Sequence, residues 1–403
     1  MRDVVICSPL RTAVGGFGGS FKDVQAHELA SHIVASLMEK TQLPPESVED
    51  AVFAQCYPSM EAPALGRMVA LDAGLTIETA GIQIDRRCGS GLQAVIYAIM
   101  QVGTGASDVM IAGGAESMSN APFFSNNMRW TLKGDGLMLH DALTRGRYTA
   151  GGKNHPVPGG MIETAENLRR DYQISREAQD EFAYNSHKKA AAAQTSGKFA
   201  EEIVPYTIKG RKGDTVVSED EHIRPDSSLE KLGSLRAIRG KADPESTVTA
   251  GNASGQNDGA AACIVCTREA AEKYGLKPLA RLVSWSVAGV GPEVMGIGPV
   301  PSSQKALDRA GLKMSDIDVI ELNEAFAAQV LACTKALGFE DGDYERLNVN
   351  GSGISLGHPV GCTGVRILTT MLNEMERREA RYGLETMCIG GGQGLAAIFE
   401  RVS

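Results

Sequence analysis

The chain has 403 residues, 43% hydrophobic and 22% charged, with 46 glycines and 5% aromatics. That length exceeds one ordinary hydrophobic core and favours two or three packed units. A net charge of -9 excludes a general nucleic-acid or anionic-membrane surface, leaving only a local basic patch for a phosphorylated ligand, and no segment approaches the roughly 18 apolar residues needed to span a bilayer.

The start, Met1-Arg2-Asp3-Val4-Val5-Ile6-Cys7, runs straight into a β-branched strand with no basic region, long apolar stretch or cleavage site, as expected of a cytoplasmic chain. The terminal Arg401-Val402-Ser403 is not a peroxisomal address. Over residues 1–117, short runs such as Val4 to Cys7 and Val52 to Gln55 alternate with amphipathic stretches such as Ala26 to Lys40, which predicts βαβ units and a mostly parallel sheet. Asp108 to Ala115 reads as a buried strand ending in a glycine turn. Residues 118–246 are irregular and read as an insertion. It holds a helix capped by Ser175, with Glu177 in its first turn and His187, Lys188 and Lys189 near its end. Residues 247–267 return to small and β-branched types and are expected to rejoin the first unit as a strand. From Arg268 onward the alternation resumes, and Glu385 to Phe399 echoes Val109 to Met118. Gly361-Cys362-Thr363-Gly364 likewise echoes Cys88-Gly89-Ser90-Gly91, so a duplicated α/β fold is predicted.

Four segments carry chemistry. After Asp85-Arg86-Arg87, the run Cys88-Gly89-Ser90-Gly91-Leu92 opens a helix with small residues, placing the Cys88 thiol where unpaired N–H groups and the positive dipole end favour thiolate. The glycines admit a flat acyl thioester. His358 lies in the glycine-rich run Asn350 to Gly364, where an imidazole can reach a substrate and serve as base for a cysteine. Cys388 ends a strand just before Gly390, Gly391 and Gly392. Asn323, in Glu321-Leu322-Asn323-Glu324-Ala325-Phe326, either caps the helix that follows or positions a water or substrate oxygen. Taken singly, each segment also fits a plain role as core thiol, surface histidine or helix cap.

Taken together and in this order, Cys88-Gly89-Ser90-Gly91, Asn323-Glu324-Ala325-Phe326, Gly357-His358-Pro359 and Cys388-Ile389-Gly390-Gly391-Gly392 closely resemble the thiolase family over essentially the whole chain. The resemblance implies two βαβαβαββ halves in a five-layered α-β-α-β-α core. Residues 1–117 with 247–267 would form the nucleophile half, 118–246 an inserted loop domain for coenzyme A and oligomer contacts, and 268–403 the half with the histidine and second cysteine. It implies that His358 activates Cys88, that Cys388 moves the α-proton, and that Asn323 holds a water beside His358 in one oxyanion hole. The N–H groups of Cys88 and Gly390 would form a second. Ala250 and Ser254, with Phe326, would follow the pantetheine arm, and Arg224 would lie on the phosphate side. Met161 and Met295 would close a short acyl pocket, so the expected reaction joins two acetyl-CoA into acetoacetyl-CoA, or reverses it. Coenzyme A and acyl-CoA are then substrates, with no permanent cofactor and no metal. The expected assembly is a homo-oligomer, tetramer or dimer, without nucleic-acid or membrane partners. Gly160, Ile162 and Gln256 depart from the biosynthetic pattern, which usually has histidine, glycine and leucine there, and so does Ser352-Gly353, where Gly-Ala is usual.

Two other readings share these residues. A longer-chain 3-ketoacyl-CoA thiolase of fatty-acid breakdown would keep the whole catalytic set, whereas a non-catalytic acyl-CoA or sterol carrier on the same scaffold would not need it. Cys263 and Cys266 lack the second ligand pair of a zinc site and read as core thiols.

Overall fold

The computed structural model describes residues 2–126, 128–131 and 136–402. Strand and helix alternate through β1 (Val4–Arg11), α1 (Ala26–Thr41), β2 (Asp50–Ala54), α2 (Leu65–Asp72), β3 (Ala80–Ile84), α3 (Ser90–Thr104) and β4 (Val109–Ser117). A long insertion with helices α4 (Gly160–Asp171) and α5 (Arg176–Thr195) precedes β5 (Asn257–Thr267). The pattern then repeats as β6 (Pro278–Gly289), α6 (Pro299–Ala310), β7 (Val319–Leu322), α7 (Ala327–Ala336), α8 (Thr363–Arg378), β8 (Tyr382–Ile389) and β9 (Gln393–Arg401). The third strand of this repeat is reduced to one parallel bridge between Ile320 and Leu347.

Hydrogen bonds link the strands in the order β7-β8-β9-β6-β1-β5-β4-β2-β3, and the halves meet at β1 and β6 through only Ile6↔Ala280 and Cys7↔Pro278. The expected mostly parallel sheet is corrected to a mixed one. Parallel pairing is confined to β2–β3, β2–β4 and β7–β8, whereas β1, β5, β6 and β9 pair antiparallel. The reason is topological: a helix packed across the sheet returns a strand parallel, but β9 follows β8 through a turn, and β5 follows β4 through the insertion rather than through such a crossover.

Side-chain alternation sets the layers. Val5 and Cys7 point to Leu29, Ile33 and Leu65 of α1 and α2, whereas Val4 and Ile6 point to Leu92 and Ile96 of α3 and Leu368 of α8. Beyond the second half-sheet, Leu384 and Ile398 pack on Leu307 of α6 and Val330 of α7. The order is therefore α1/α2, half-sheet, α3/α8, half-sheet, α6/α7, and each Leu or Ile so buried contributes about 1.5–3 kcal/mol. At the centre α3 and α8 meet at their small openings. A Cβ on Gly91 would lie 2.8 Å from the Val365 nitrogen, and one on Gly364 would overlap the Leu92 nitrogen. The two echoing motifs thus face each other.

Within the insertion, Ser175 caps α5 by accepting from Ala178 N–H, as its sequence predicts. The helix continues to Thr195, so His187, Lys188 and Lys189 lie inside it rather than at its end, because the run Ala190 to Ala193 is strongly helix-forming. Ala183 packs on Ala327 and Ile354 of the second half, while Ala190 and Ala193 join the first-half core. Residues 247–256 are irregular and β5 begins only at Asn257, a second correction. Asn252 explains it: its side chain accepts from Thr249 N–H and donates to Asp180 and the Thr247 carbonyl, closing a turn where a strand would need those groups.

Candidate active site

After β3 the chain turns sharply. Arg87 takes a left-handed φ of 48°, its N–H donating to Asp85 Oδ1 at 2.7 Å, and Arg86 N–H donates to Ser90 Oγ at 2.6 Å. The one-turn segment Arg87–Gly89 then leads into α3. Left-handed backbone in a non-glycine residue is costly, and here two side-chain acceptors hold it. Gly89 packs closely, since a Cβ there would meet Ile389 Cδ1 at 2.6 Å and displace that side chain. The Cys88 sulfur faces its own N–H and that of Gly390 across the half-sheet boundary. Burial nevertheless pushes the Cys88 thiol up, outweighing those donors and Arg87. Desolvation thus offsets the bias of the helix end, which agrees with the expectation that a base activates Cys88.

His358 supplies one geometrically. Its backbone N–H donates to Asn257 Oδ1 at 2.9 Å, and its ring Nδ1 lies 2.6 Å from Thr363 Oγ. The Thr363 hydroxyl donates to the Pro359 carbonyl at 2.8 Å, so its oxygen is free only to accept, and Nδ1 carries the proton. Nε2 is thereby left as a lone pair on the cavity side, 3.5 Å from Asn323 Nδ2. Burial, then the positive charges of Arg366 and Arg147, push the imidazole down to about 3, so it rests neutral and able to accept.

Asn323 does not cap α7, whose N-cap is Phe326. It is fully buried with Oδ1 unpartnered, an acceptor left for a water to donate to. Cys388 is fully buried among Met295, Ala325 and Phe326. Burial and the neighbouring Cys88 push its thiol well above the usual range.

These groups surround one cavity of about 430 Å³. Cys88, His358 and Gly390 line it, as do Ala250, Ser254, Phe326, Met161 and Met295. Cys388 and Asn323 stand behind that wall. Arg224 is exposed and outside the lining, although His222, two residues before it, forms part of the wall. Cys263 and Cys266 pack in the cores on opposite faces of β5.

The sequence reading missed the bracing residues. Glu116 is fully buried and accepts from the N–H groups of Cys56, Tyr57 and Gly361 at 3.0, 3.1 and 2.9 Å, tying the Cys88 side to the His358 loop; burial raises it to about 7. Glu324 accepts from Ser186, Asn348 and the Ile354 N–H, tying α5 to both second-half loops. Neither is marked by local spacing, since their partners lie far away in the chain. Arg147 and Tyr57 also line the cavity without having been predicted.

Residues 4–269 match the thiolase N-terminal domain and residues 276–401 the thiolase C-terminal domain. The chain is 48% identical to beta-ketothiolase BktB of Cupriavidus necator, with all of both chains covered. It is 46% identical to a beta-ketoadipyl-CoA thiolase of Pseudomonas aeruginosa, again over the full length of both. A Bacillus anthracis acetyl-CoA acetyltransferase crystal structure superposes with a TM-score of 0.93 at 41% identity, covering 100% of this chain and 99% of that one. Two domain matches and full-length identity on this scale, joined to the cavity geometry, place the chain in the thiolase family.

Proposed function

We propose that the protein is an acetyl-CoA C-acetyltransferase that forms and cleaves acetoacetyl-CoA through an acyl group on Cys88. The observation that carries this is the Cys88 sulfur facing two backbone N–H groups in a cavity where a neutral His358 offers an unprotonated Nε2. In cleavage, His358 takes the Cys88 proton as the sulfur attacks the 3-keto carbon. The bond between carbons two and three breaks, and its electron pair takes a proton from the Cys388 thiol to give acetyl-CoA. Coenzyme A then attacks the acyl-cysteine, its thiol proton returns to Cys388, and Cys88 regains its own from His358. The N–H groups of Cys88 and Gly390 hold the oxyanion at the acyl carbon, and His358 with an Asn323-bound water holds the thioester enolate. One such donor is typically worth about 10²- to 10³-fold in rate.

Ala250, Ser254 and Phe326 are assigned to the pantetheine arm and Arg224 to the phosphates outside the cavity mouth. Met161 and Met295 limit acyl length. Residues 1–117 with 247–267 serve as the nucleophile half, 118–246 as the coenzyme A and assembly insertion, and 268–403 as the acid/base half. A homo-oligomer, a tetramer in preference to a dimer, acting in cytoplasmic fatty-acid metabolism completes the reading. Among the described residues no helix is long and apolar enough to cross a membrane. The test is coenzyme A-dependent thiolysis of acetoacetyl-CoA beside 3-ketooctanoyl-CoA, with Cys88→Ser as blank. Faster acetoacetyl-CoA turnover is expected, with loss in the variant. Preference for the longer chain would assign fatty-acid breakdown, and activity on neither substrate, with the variant indistinguishable from the parent, would leave a carrier.

A further inference from the structure

The second half buries a cation that the proposed chemistry does not use. Arg366 lies in α8, one turn after Thr363, and is wholly buried. Among the described residues it has no ion pair, and none of its three guanidinium nitrogens has a hydrogen-bond partner. Burial pulls it down from its ordinary value, which lies so far above neutrality that the charge remains. A buried charge without a partner destabilises a fold, so packing does not account for it. Two acids share its surroundings. Glu321 and Glu385 are Cα partners in the parallel ladder of β7 and β8. The alternation that carries Val319 and Met387 into the central layer with Leu368 of α8 points both carboxyls the same way. Both oxygens of Glu385, and Oε2 of Glu321, are likewise without partners.

Carboxylates side by side on one buried sheet face repel each other. Burial pushes Glu321 up to about 8 and Glu385 well above the carboxylate range, against the pull of Arg366. Near neutrality both are therefore neutral acids, and neither cancels the guanidinium. The other charges here fall into two groups. Lys189 and Glu324 act on each other with opposite sign. Arg11 with Glu202 and Asp220 carries one net negative charge at the far end of the stripe, where the Thr370 hydroxyl donates to Glu202. The thiols of Cys362 and Cys263, both pushed up to about 12, are uncharged. Thr363, Arg366 and Thr370 follow one face of α8. Along that face Arg366 stands between the negative cluster and His358, whose ring Thr363 holds. After burial, Arg366 is the first charge that pushes the His358 imidazole down. Asn323 is on the same side, since its N–H donates to the Thr386 carbonyl beyond the end of β7 and it follows Glu321 by two residues. The positive end of a buried charge arrangement thus points at the two groups assigned to the enolate oxygen.

We propose that Arg366 is a positioning residue for the enolate step: a cation without a paired anion, acting through His358 and Asn323, favours charge on the thioester oxygen that they hold. A fixed charge in a dry interior acts over a longer range than in water and needs no rearrangement when the enolate forms. Glu321 and Glu385 serve it by staying neutral, so they surround the guanidinium with polar atoms without cancelling its field. The inference rests on the thiolase reading of Cys88, His358 and Cys388 and deepens it.

The test separates two reactions of the full-length enzyme. Acetyl exchange between acetyl-CoA and labelled coenzyme A needs only acylation of Cys88 and its reversal, at the Cys88 and Gly390 N–H groups. Thiolysis of acetoacetyl-CoA also forms the enolate. Arg366→Met should lower thiolysis roughly 10-fold more than exchange, the size of a unit charge acting through a protein interior. In the parent, the ratio of thiolysis to exchange should fall about 10-fold as the pH rises through about 8, because ionised Glu321 then cancels Arg366. The coenzyme A thiol enters both reactions and drops out of the ratio. Glu321→Gln should hold that ratio level. Equal losses in both reactions for Arg366→Met, or a Glu321→Gln ratio that still falls, would overturn the proposal and leave Arg366 a structural role. The Glu321→Gln profile decides even where Arg366→Met fails to fold. A parent with neither exchange nor thiolysis would overturn the thiolase reading itself, whereas exchange with a ratio that pH does not move would overturn this inference alone.

Discussion

Thr363 shows how a side chain that touches no substrate governs one that does. Its hydroxyl is committed to the Pro359 carbonyl, so it can only accept from His358 Nδ1, and this leaves Nε2 unprotonated, with Asn323 Nδ2 3.5 Å away. Thr363→Val keeps the shape, removes the acceptor and frees the ring to adopt the other tautomer. The expected loss in kcat is about 10- to 100-fold, less than the roughly 10²- to 10⁴-fold that a positioned general base contributes because the base itself remains, with Thr363→Ser restoring most of it. In the parent, burial holds His358 at about 3. Lowering the pH through about 6.5, the ordinary imidazole value, should therefore produce no fall in kcat/KM. A fall there, or a valine variant as fast as its parent, would show that Thr363 does not set the base. The residue-scale chemistry was only half legible in sequence. Cys88, His358 and Cys388 stand beside glycines, which mark places where backbone or substrate approaches closely. Thr363 and Glu324 stand inside segments that the sequence does single out and Glu116 in ordinary strand text, but what each of them bonds to is identified only by folding. The motif at Cys88 likewise shows the helix end but not the depth of burial, which pushes the thiol up.

At the scale of elements, the contact between α3 and α8 holds both catalytic loops, since Cys88 lies just before one helix and His358 shortly before the other. The crossing is close only because Gly91 and Gly364 carry no side chains, and an added Cβ on Gly364 meets backbone rather than a yielding side chain. Gly364→Ala is expected to cost on the order of 3 kcal/mol, the upper part of the usual overpacking range, and to lower activity more than stability alone explains by parting the two loops. Gly342→Ala is the control, since nothing lies within 4 Å of a Cβ there. Equal thermal midpoints for the two variants would refute this account of the crossing. The duplication was readable because both helix openings repeat the same order of small residues. The mixed sheet was not, since strand direction depends on whether a helix or a turn joins two strands, and the runs of Val and Ile look alike either way.

Across the whole molecule, the insertion is fastened to the first half by a buried cluster. Arg11 donates to Glu202 at 2.7 Å and to Asp220 at 2.7 and 2.9 Å, with all three side chains buried. Those partners lie 191 and 209 residues away, so no window of sequence shows them. The other end of the insertion is different. Phe123, Met138 and Leu139 are exposed around the short pairing of Phe123–Phe124 with His140–Asp141, and Trp130 is 88% exposed. Isolated apolar side chains are normal on a surface, whereas several large ones in one patch are what contact between copies of a chain would require. If that face joins copies of the chain, as the tetramer reading requires, charge placed on it must oppose assembly without touching the cavity, which these residues do not line. The double substitution Trp130→Asp with Leu139→Asp should therefore lower the molar mass measured by light scattering, at a thermal midpoint close to that of the parent. An unchanged mass would move the assembly face elsewhere, and an unchanged mass with a lower midpoint would mean that the protrusion packs on its own subunit.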